Sequence, residues 1–509
     1  MLHSGSIQIR NKLYRLPHSA LTYEIILHYL VMIYRIRIKG FKNIKDLEVF
    51  LGPFSCLAGG NGVGKSNFFD ALSFLRALSN RDNTLIKAAY QIRSKDDDKK
   101  LGKDIQNLFY QDELVTAKII AFEVDLVCSE SGIDDLGQIA TSNITLLRYT
   151  LEIGLDLGKE FNTSGLYIKK EELIPLSKTE AKNILTQMGA SYDWLKSVVG
   201  IGSRKTPFIE THGENVFIRT DQKQGGQKRI LKIKNLPRTI LSTATSIEYP
   251  TMTVVQREFQ KLRILQFEPT ALREPDPLNF SDGAILTSEG GHLPSSLKRL
   301  KGKDPDILYR ISNRLKELVD DSFELQLEED AQRDLLILTA KRKGGTYLPA
   351  KSLSDGTLRF LALATAIEDP DFDGIICLEE PENGIHPERI RAIIKLLEDM
   401  AFDFDFPIDE DNPFRQVIVN THSPGVVSVV PAESLIFAYL ESNSLQFKFL
   451  DKTWHRKVQP QSKIIQRGEI LRYLQPLPTM DLAKSRQKKT VREASDIQIQ
   501  INFLEPNQG

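Results

Sequence analysis

GGNGVGKSN, residues 59–67, decides how the rest of the chain is read. The spacing Gly59-x-x-x-x-Gly64-Lys65-Ser66 fits the phosphate-cradling pattern G-x-x-x-x-G-K-[ST]. Glycines let the backbone curl until several N–H groups converge on one anion. Lys65 is expected to reach the outer phosphates of a nucleotide, and the Ser66 hydroxyl to ligate Mg²⁺. The flanks agree. FSCLA (Phe54–Ala58) is short, apolar and strand-like. NFFDALSFLRAL comes next, with Phe68, Ala71, Leu72, Leu75 and Leu78 at helical spacing. Strand, glycine loop, helix is the order such a loop requires. The positive N-terminal end of that helix adds to the anion site.

The chain around this loop has 509 residues, 41% hydrophobic and 26% charged, which suits a globular protein of two or three domains. Lys+Arg and Asp+Glu both number 67, so any nucleic-acid contact has to come from local patches. Three cysteines, Cys56, Cys128 and Cys377, sit in apolar runs. Their sparse, odd count argues against a disulfide framework and points to a reducing cytoplasm. No apolar run is long enough to span a bilayer. The best candidate, LTYEIILHYLVMIY (Leu21–Tyr34), contains Glu24 and His28 and lacks a small-residue cleavage site. It leads into the strand-like YRIRIKGF. The folded part is expected to begin near Met32, with residues 1–31 an extension or a misplaced start.

A second cluster lies some three hundred residues on. In GIICLEEPENGIHP (Gly374–Pro387), a buried-strand run ends in Glu379-Glu380. A carboxylate at the end of a core strand beside a phosphate loop is placed to hold Mg²⁺, and the next one to orient or deprotonate water. Upstream, in SLSDGTLRFLALATAI (Ser352–Ile367), Ser354 or Asp355 is a good N-cap for an Ala/Leu-rich helix. The same residues read as a second anion-binding helix end, with Ser354 and Gly356 approaching a phosphate. Downstream, QVIVNTHSP (Gln416–Pro424) is another apolar strand, ending at His422. A histidine there is a candidate phosphate sensor, although a lone histidine is more often structural.

The order of these four pieces resembles the ABC-type ATPases, and within them the SMC/RecF/OLD branch. GGNGVGKSN, SLSDGTLRF, LEEPENGIHP and VNTHSP carry the resemblance, together with the opening YRIRIKGFKNIKDLEVFLGPFSCLAGGNG. LEEPENGIHP is especially similar to stand-alone AAA-labelled ATPases related to OLD proteins. The resemblance implies an α/β fold: a P-loop NTPase with an ABC-type head, an antiparallel β-rich lobe and an inserted α+β region. It implies ATP and Mg²⁺ as ligands. Gly59, Gly60, Asn61, Gly62, Val63, Gly64, Lys65, Ser66 and Asn67 would bind ATP, with Ser66 and Glu379 on the metal. Glu380 would be the general base and His422 the switch histidine. Ser354 and Gly356 would complete a neighbouring protomer's site, so a homodimer or higher oligomer closed by ATP is implied. Two departures stand out. Glu379 replaces the usual Asp, which moves the carboxylate outward by one methylene. The signature reads Ser-Asp-Gly-Thr, so Asp355 would bring negative charge near the phosphates. For the glutamine that contacts the metal in the family, Gln91, Gln106 and Gln266 are weak candidates.

This divides the chain into residues 1–31, a β lobe with the loop at 32–80, an inserted β-rich then helical region at 81–344, the second half of the ATPase core at 345–440, and a basic region at 441–509. The insertion shows no sustained heptads. It carries β-like runs: VTAKIIAFEVDLVC, ITLLRYTLEIGLDL, GLYIKKEELIPL, NVFIRT and RILKIKNL. A helix is expected near Ile307–Val319. Lys228, Arg229, Lys232 and Lys234 form one basic cluster. Lys452, Arg456, Lys457, Lys463, Arg467, Arg472, Lys484, Arg486, Lys488, Lys489 and Arg492 form another, opposed only by Glu469 and Asp481. The second reads equally as a DNA-binding region or a solvated tail. Trp454 is a candidate for base stacking, though a single aromatic is more often packing. No evident cluster of acidic metal ligands comes after His422. The expectation is therefore an ATPase without a nuclease of its own, dimerising on ATP and gating DNA or a separate effector in genome maintenance or anti-phage defence. The alternatives are a nucleotide-sensing scaffold with little turnover and, less in keeping with the insertion, a transporter's nucleotide-binding subunit.

Overall fold

The computed structural model describes residues 6–9, 12–15, 31–92, 105–113, 116–156, 165–221, 228–280, 285–319, 323–342, 344–409 and 411–475. Two large sheets dominate. One has seven strands in the order Arg263–Leu265, Gly374–Glu379, Arg415–Thr421, Phe54–Ala58, Leu435–Glu441, Ser444–Leu450 and Ile464–Ile465. Its first five strands are parallel. Every residue of Phe54–Ala58 and of Arg415–Thr421 is buried, as expected for parallel strands covered on both faces. Alternate residues face opposite layers. Leu57, Ile375, Cys377, Ile418 and Ile436 join the core shared with the helix Lys65–Ser79. Cys56, Ile376, Leu378, Val417 and Val419 join the core under the helices Ile307–Val319, Asp355–Glu368 and Ile390–Met400. All three cysteines are buried free thiols.

The other sheet has eight antiparallel strands: Lys228–Lys232, Asn215–Arg219, Ile209–His212, Leu166–Pro175, Leu146–Leu155, Ile119–Val127, Met32–Phe41 and Ile44–Phe50. Each of the five β-like runs read in the insertion supplies one of these strands, and they extend the hairpin formed by residues 32–50. Alternation sets the faces. Ile36 and Ile38 point into the core, while Arg35 meets Glu48 at 2.5 Å and Glu123 at 2.6 Å across neighbouring strands. The two sheets are tied by Gln416, which is fully buried. Its Nε2 donates to Ile33 O at 2.9 Å and Gly52 O at 3.0 Å, and its Oε1 accepts from Ile33 N at 3.0 Å.

The helix expected near Ile307–Val319 spans those residues. A smaller sheet of Asp276–Pro277, Leu335–Arg342, Phe323–Asp330 and Tyr347–Pro349 precedes the helix Asp355–Glu368. Ser6–Ile9 and Lys12–Arg15 pair as a separate hairpin. Among the described residues no helix is long and apolar enough to cross a membrane.

One buried acid gives the fold a pH dependence. Glu171 has no exposure and accepts hydrogen bonds from Ile240 N at 2.7 Å, Leu241 N at 2.9 Å and Tyr149 Oη at 3.1 Å. Burial outweighs these bonds and raises its pKa from 4.5 to about 7. The fold therefore favours the protonated form. That contribution is fully present below the unfolded value of 4.5 and is lost as pH rises through about 7. In thermal unfolding the wild type should lose on the order of 3 kcal/mol relative to Glu171→Gln across that window, the two being compared because buried His455, its pKa lowered to about 3, gains stability over part of the same range. In Glu171→Gln that part of the slope should be gone, even though the variant loses an acceptor.

Candidate functional site

The glycine loop takes its shape from elements on both sides. Asn43, in the turn between the strands Met32–Phe41 and Ile44–Phe50, donates from Nδ2 to Val63 O at 3.0 Å and accepts from Asn67 Nδ2 at 2.9 Å. Beside it, Lys42 pairs with Asp70 at 2.7 Å on the helix after the loop. Gly64 has φ 106°, and a Cβ there would lie 2.3 Å from Asn43 Nδ2. Gly59 runs so close to the next strand that a Cβ would lie 2.4 Å from Ala438 O. Lys65 is 6% exposed, and its Nζ donates to Gly59 O at 2.7 Å and Gly60 O at 2.8 Å. Burial pushes its pKa below the ordinary lysine value, opposed by the charges of Glu380 and Glu382.

Strand register brings the acids to the loop. Glu379 lies opposite Asn420, Asn420 opposite Leu57, and Thr421 opposite Ala58. A cleft of about 720 Å³ opens there. Asn61, Gly62, Gly64, Lys65, Ser66, Asn67, Glu379, Glu380 and Asn420 line it. Gly59, Gly60 and Val63 are part of the loop but do not line the cleft. Glu380 leaves the strand at φ 46°, a left-handed conformation that is costly for a glutamate and recurs at working sites. Its N–H is held by Asn420 O at 3.1 Å and Asn420 Oδ1 at 3.0 Å. Its carboxylate accepts from His422 Nδ1 at 2.7 Å and Asn383 Nδ2 at 2.7 Å. This carboxylate–imidazole pair fixes which way the Glu380 side chain faces.

Ser354 and Gly356 are not in this cleft. Ser354 caps the helix Asp355–Glu368, accepting from Thr357 N at 3.2 Å. Gly356 packs on the turn after Glu380, where a Cβ would sit 3.2 Å from Gly384 O. The negative charge of Asp355 is met by Arg273, which also donates to Leu353 O at 3.1 Å. Asp355 therefore brings less uncompensated charge than its sequence suggests.

Other expectations shift. Of the described glutamines, it is Gln111 that lines the cleft; Gln91 is bonded to Asn83 at 3.0 Å, and Gln106 and Gln266 are outside the lining. Trp454 is 9% exposed and stacked on His455 at 3.7 Å, so it packs the core instead of offering a face to a base. In the basic C-terminal region, Lys463 pairs with Glu441 at 2.5 Å, and Arg456 donates to Ser462 O at 3.0 Å. Lys484, Arg486, Lys488, Lys489 and Arg492 lie outside the described residues. Sequence reasoning missed Glu382. It is 7% exposed, accepts from the Thr421 hydroxyl, and leaves Oε2 without a partner. Burial pushes its carboxyl up. An acid two residues past a strand-end pair looks like loop in one dimension; only the fold buries it.

Strand, phosphate loop and helix, with Glu379 and Glu380 at the end of one parallel strand and His422 after the next, form the core of a P-loop NTPase. The model of the family described as "AAA domain, putative AbiEii toxin, Type IV TA system" matches residues 54–183 and 204–428, and the chain belongs to that family. No curated protein matches. Among solved structures, an SMC head bound to the C-winged helix domain of ScpA aligns at 14% identity and TM-score 0.42, covering 82% of this chain and 97% of that one. The SMC head domain from Thermotoga maritima aligns at 10% and 0.35, covering 82% and 99%. The Pyrococcus furiosus Smc head with an extended coiled coil, bound to the C-terminal domain of ScpA, aligns at 12% and 0.40, covering 82% and 96%.

The conformation of Gly64 is testable. Gly64→Ala has to hold φ 106° with a Cβ against Asn43. Urea unfolding should show a loss of about 1–3 kcal/mol. Truncating Asn43 to Ala in the same chain should recover part of it, because the clash is with that side chain.

Proposed function

We propose that this chain binds and hydrolyses ATP, with Glu380 as general base and His422 as the residue that orients it. The observation that carries this reading is the 2.7 Å contact of His422, which does not itself line the cleft, with Glu380, which lines it together with Lys65 and Ser66. Lys65 supplies the cation for the outer phosphates. Loop amides and the helix N-terminus supply further positive potential. Ser66 and Glu379 offer a hydroxyl and a carboxylate within the same cleft, the hard oxygen donors that suit Mg²⁺. When bound, that ion would neutralise charge on the β- and γ-phosphates. Glu380 would align water and take its proton, and His422 would keep the carboxylate from swinging away.

The same reading assigns a dimer. Ser354 and Gly356 lie outside the cleft of their own protomer, which supports their use by a second copy. ATP would then hold two half-sites together until hydrolysis releases them, a two-state element able to gate a partner. Genome maintenance or defence against phage is the proposed setting, with a separate effector or DNA as the gated object. The family's description as a putative toxin of a Type IV TA system supports a partnered, defence-like role.

Steady-state phosphate release by the purified chain tests this, with and without duplex DNA. Lys65→Ala and Glu380→Gln should each lower turnover by about 10²-fold or more. Stimulation by DNA would assign DNA as the gated object. Wild-type turnover no higher than that of either variant would sink the hydrolysis reading and favour a nucleotide sensor.

A further inference from the structure

We propose that Tyr473, on the helix Arg467–Leu474, is a positioning residue for the phosphate loop. The inference rests on the ATP-binding reading and adds a part of the chain outside the family match, which ends at residue 428. A methyl group placed on Gly60 would lie 3.2 Å from Cε1 and 3.3 Å from the hydroxyl oxygen of Tyr473. The phenol ring therefore packs directly against the loop backbone. The peptide it covers is the one whose carbonyl, with that of Gly59, accepts from Lys65 Nζ. A loop of glycines has little stiffness of its own, so its shape depends on what presses against it. Asn43 and Lys42 brace it from the β hairpin. Ala438 and Tyr473 brace Gly59 and Gly60.

The helix is anchored well enough to act as a buttress. Its first turn carries a capping box between Gln466 and Glu469. Arg467 donates to Val427 O at 3.0 Å and Ser428 O at 3.2 Å, on the helix just after His422. Ile470 has no exposure and joins the core. Tyr473 itself stands edge-on to Phe437 at 5.4 Å, in the strand beside Phe54–Ala58. One short element thus touches both the phosphate loop and the segment after the switch histidine. Tyr473 is 51% exposed, so core filling does not account for it. Arg467, basic in sequence, serves here as an anchor.

The test is calorimetric titration of the full chain with MgATP, comparing wild type with Tyr473→Ala, Tyr473→Phe and Lys65→Ala, with thermal melting of each. Tyr473→Ala should weaken ATP binding by about tenfold, because a loosened loop no longer presents its amides together. Tyr473→Phe, which keeps the ring, should stay within about twofold of wild type. Where the chain turns over, KM should rise in Tyr473→Ala with kcat nearly unchanged. Arg467→Ala, which frees the start of the helix, should move binding in the same direction. Wild-type affinity in Tyr473→Ala overturns the inference, as does a Tyr473→Phe variant as weak as Tyr473→Ala. No binding by the wild type overturns the nucleotide reading itself, and this inference with it.

Discussion

Parallel register is the constraint on which the site depends. Three central strands, Phe54–Ala58, Gly374–Glu379 and Arg415–Thr421, run the same way and end within one residue of each other, so Ala58, Glu379 and Thr421 fall along one edge. The residues just past each strand end are then forced into proximity: the glycine loop after the first, Glu380 after the second, His422 after the third. A slip of one residue in any pairing would turn that strand's apolar side chains to the wrong layer. Because both faces are buried, such a slip is costly, and the chemistry inherits its precision from core packing. The fully buried Gln416, bonded to Ile33 and Gly52, extends this control to the antiparallel sheet and hence to Asn43, which braces the loop from the other side.

Charge at this edge is arranged at a cost. Lys65 is nearly buried and its charged form is disfavoured; Glu382 is nearly buried and its ionised form is disfavoured. Glu382 lies close enough to favour the charged form of Lys65, which offsets part of that penalty. Glu380, next to them, occupies a left-handed backbone conformation held by Asn420. Strain, a desolvated cation and a desolvated acid concentrated on so few residues are hard to explain as a solution for stability alone.

Much of this was legible in one dimension because it was locally encoded. The loop, its flanking strand and helix, the strand ends at Glu379 and His422, the Ser354 cap and the helix Ile307–Val319 all carry their signal within a dozen residues. The features that escaped were carried by contacts between distant segments. The helix Pro250–Gln260 is buried on nearly every side and rich in β-branched residues, so it has no amphipathic stripe to read. The GFKNI turn could be matched to a family but not explained, since its bonds to Val63, Asn67 and Asp70 exist only after the hairpin folds back on the loop. Gln111 and Glu382 were hidden for the same reason. Neither its neighbours nor its spacing marks either residue.

The placement of Ser354 and Gly356 carries the synthesis one step further. Their helix starts against Gly384, on the turn that begins at Glu380, yet neither residue lines the cleft that Glu380 lines. A displacement of that helix start would be felt by the turn, then by Asn383, which holds one oxygen of Glu380, while His422 holds the other. The general-base candidate is therefore clamped between a bond inside its own site and a bond to the turn that supports the signature. Under the proposed dimer, a partner engaging Ser354 on one protomer would press on the element that sets the carboxylate of that same protomer. Such an arrangement would let the two half-sites on one chain respond to each other without any contact between their ligands.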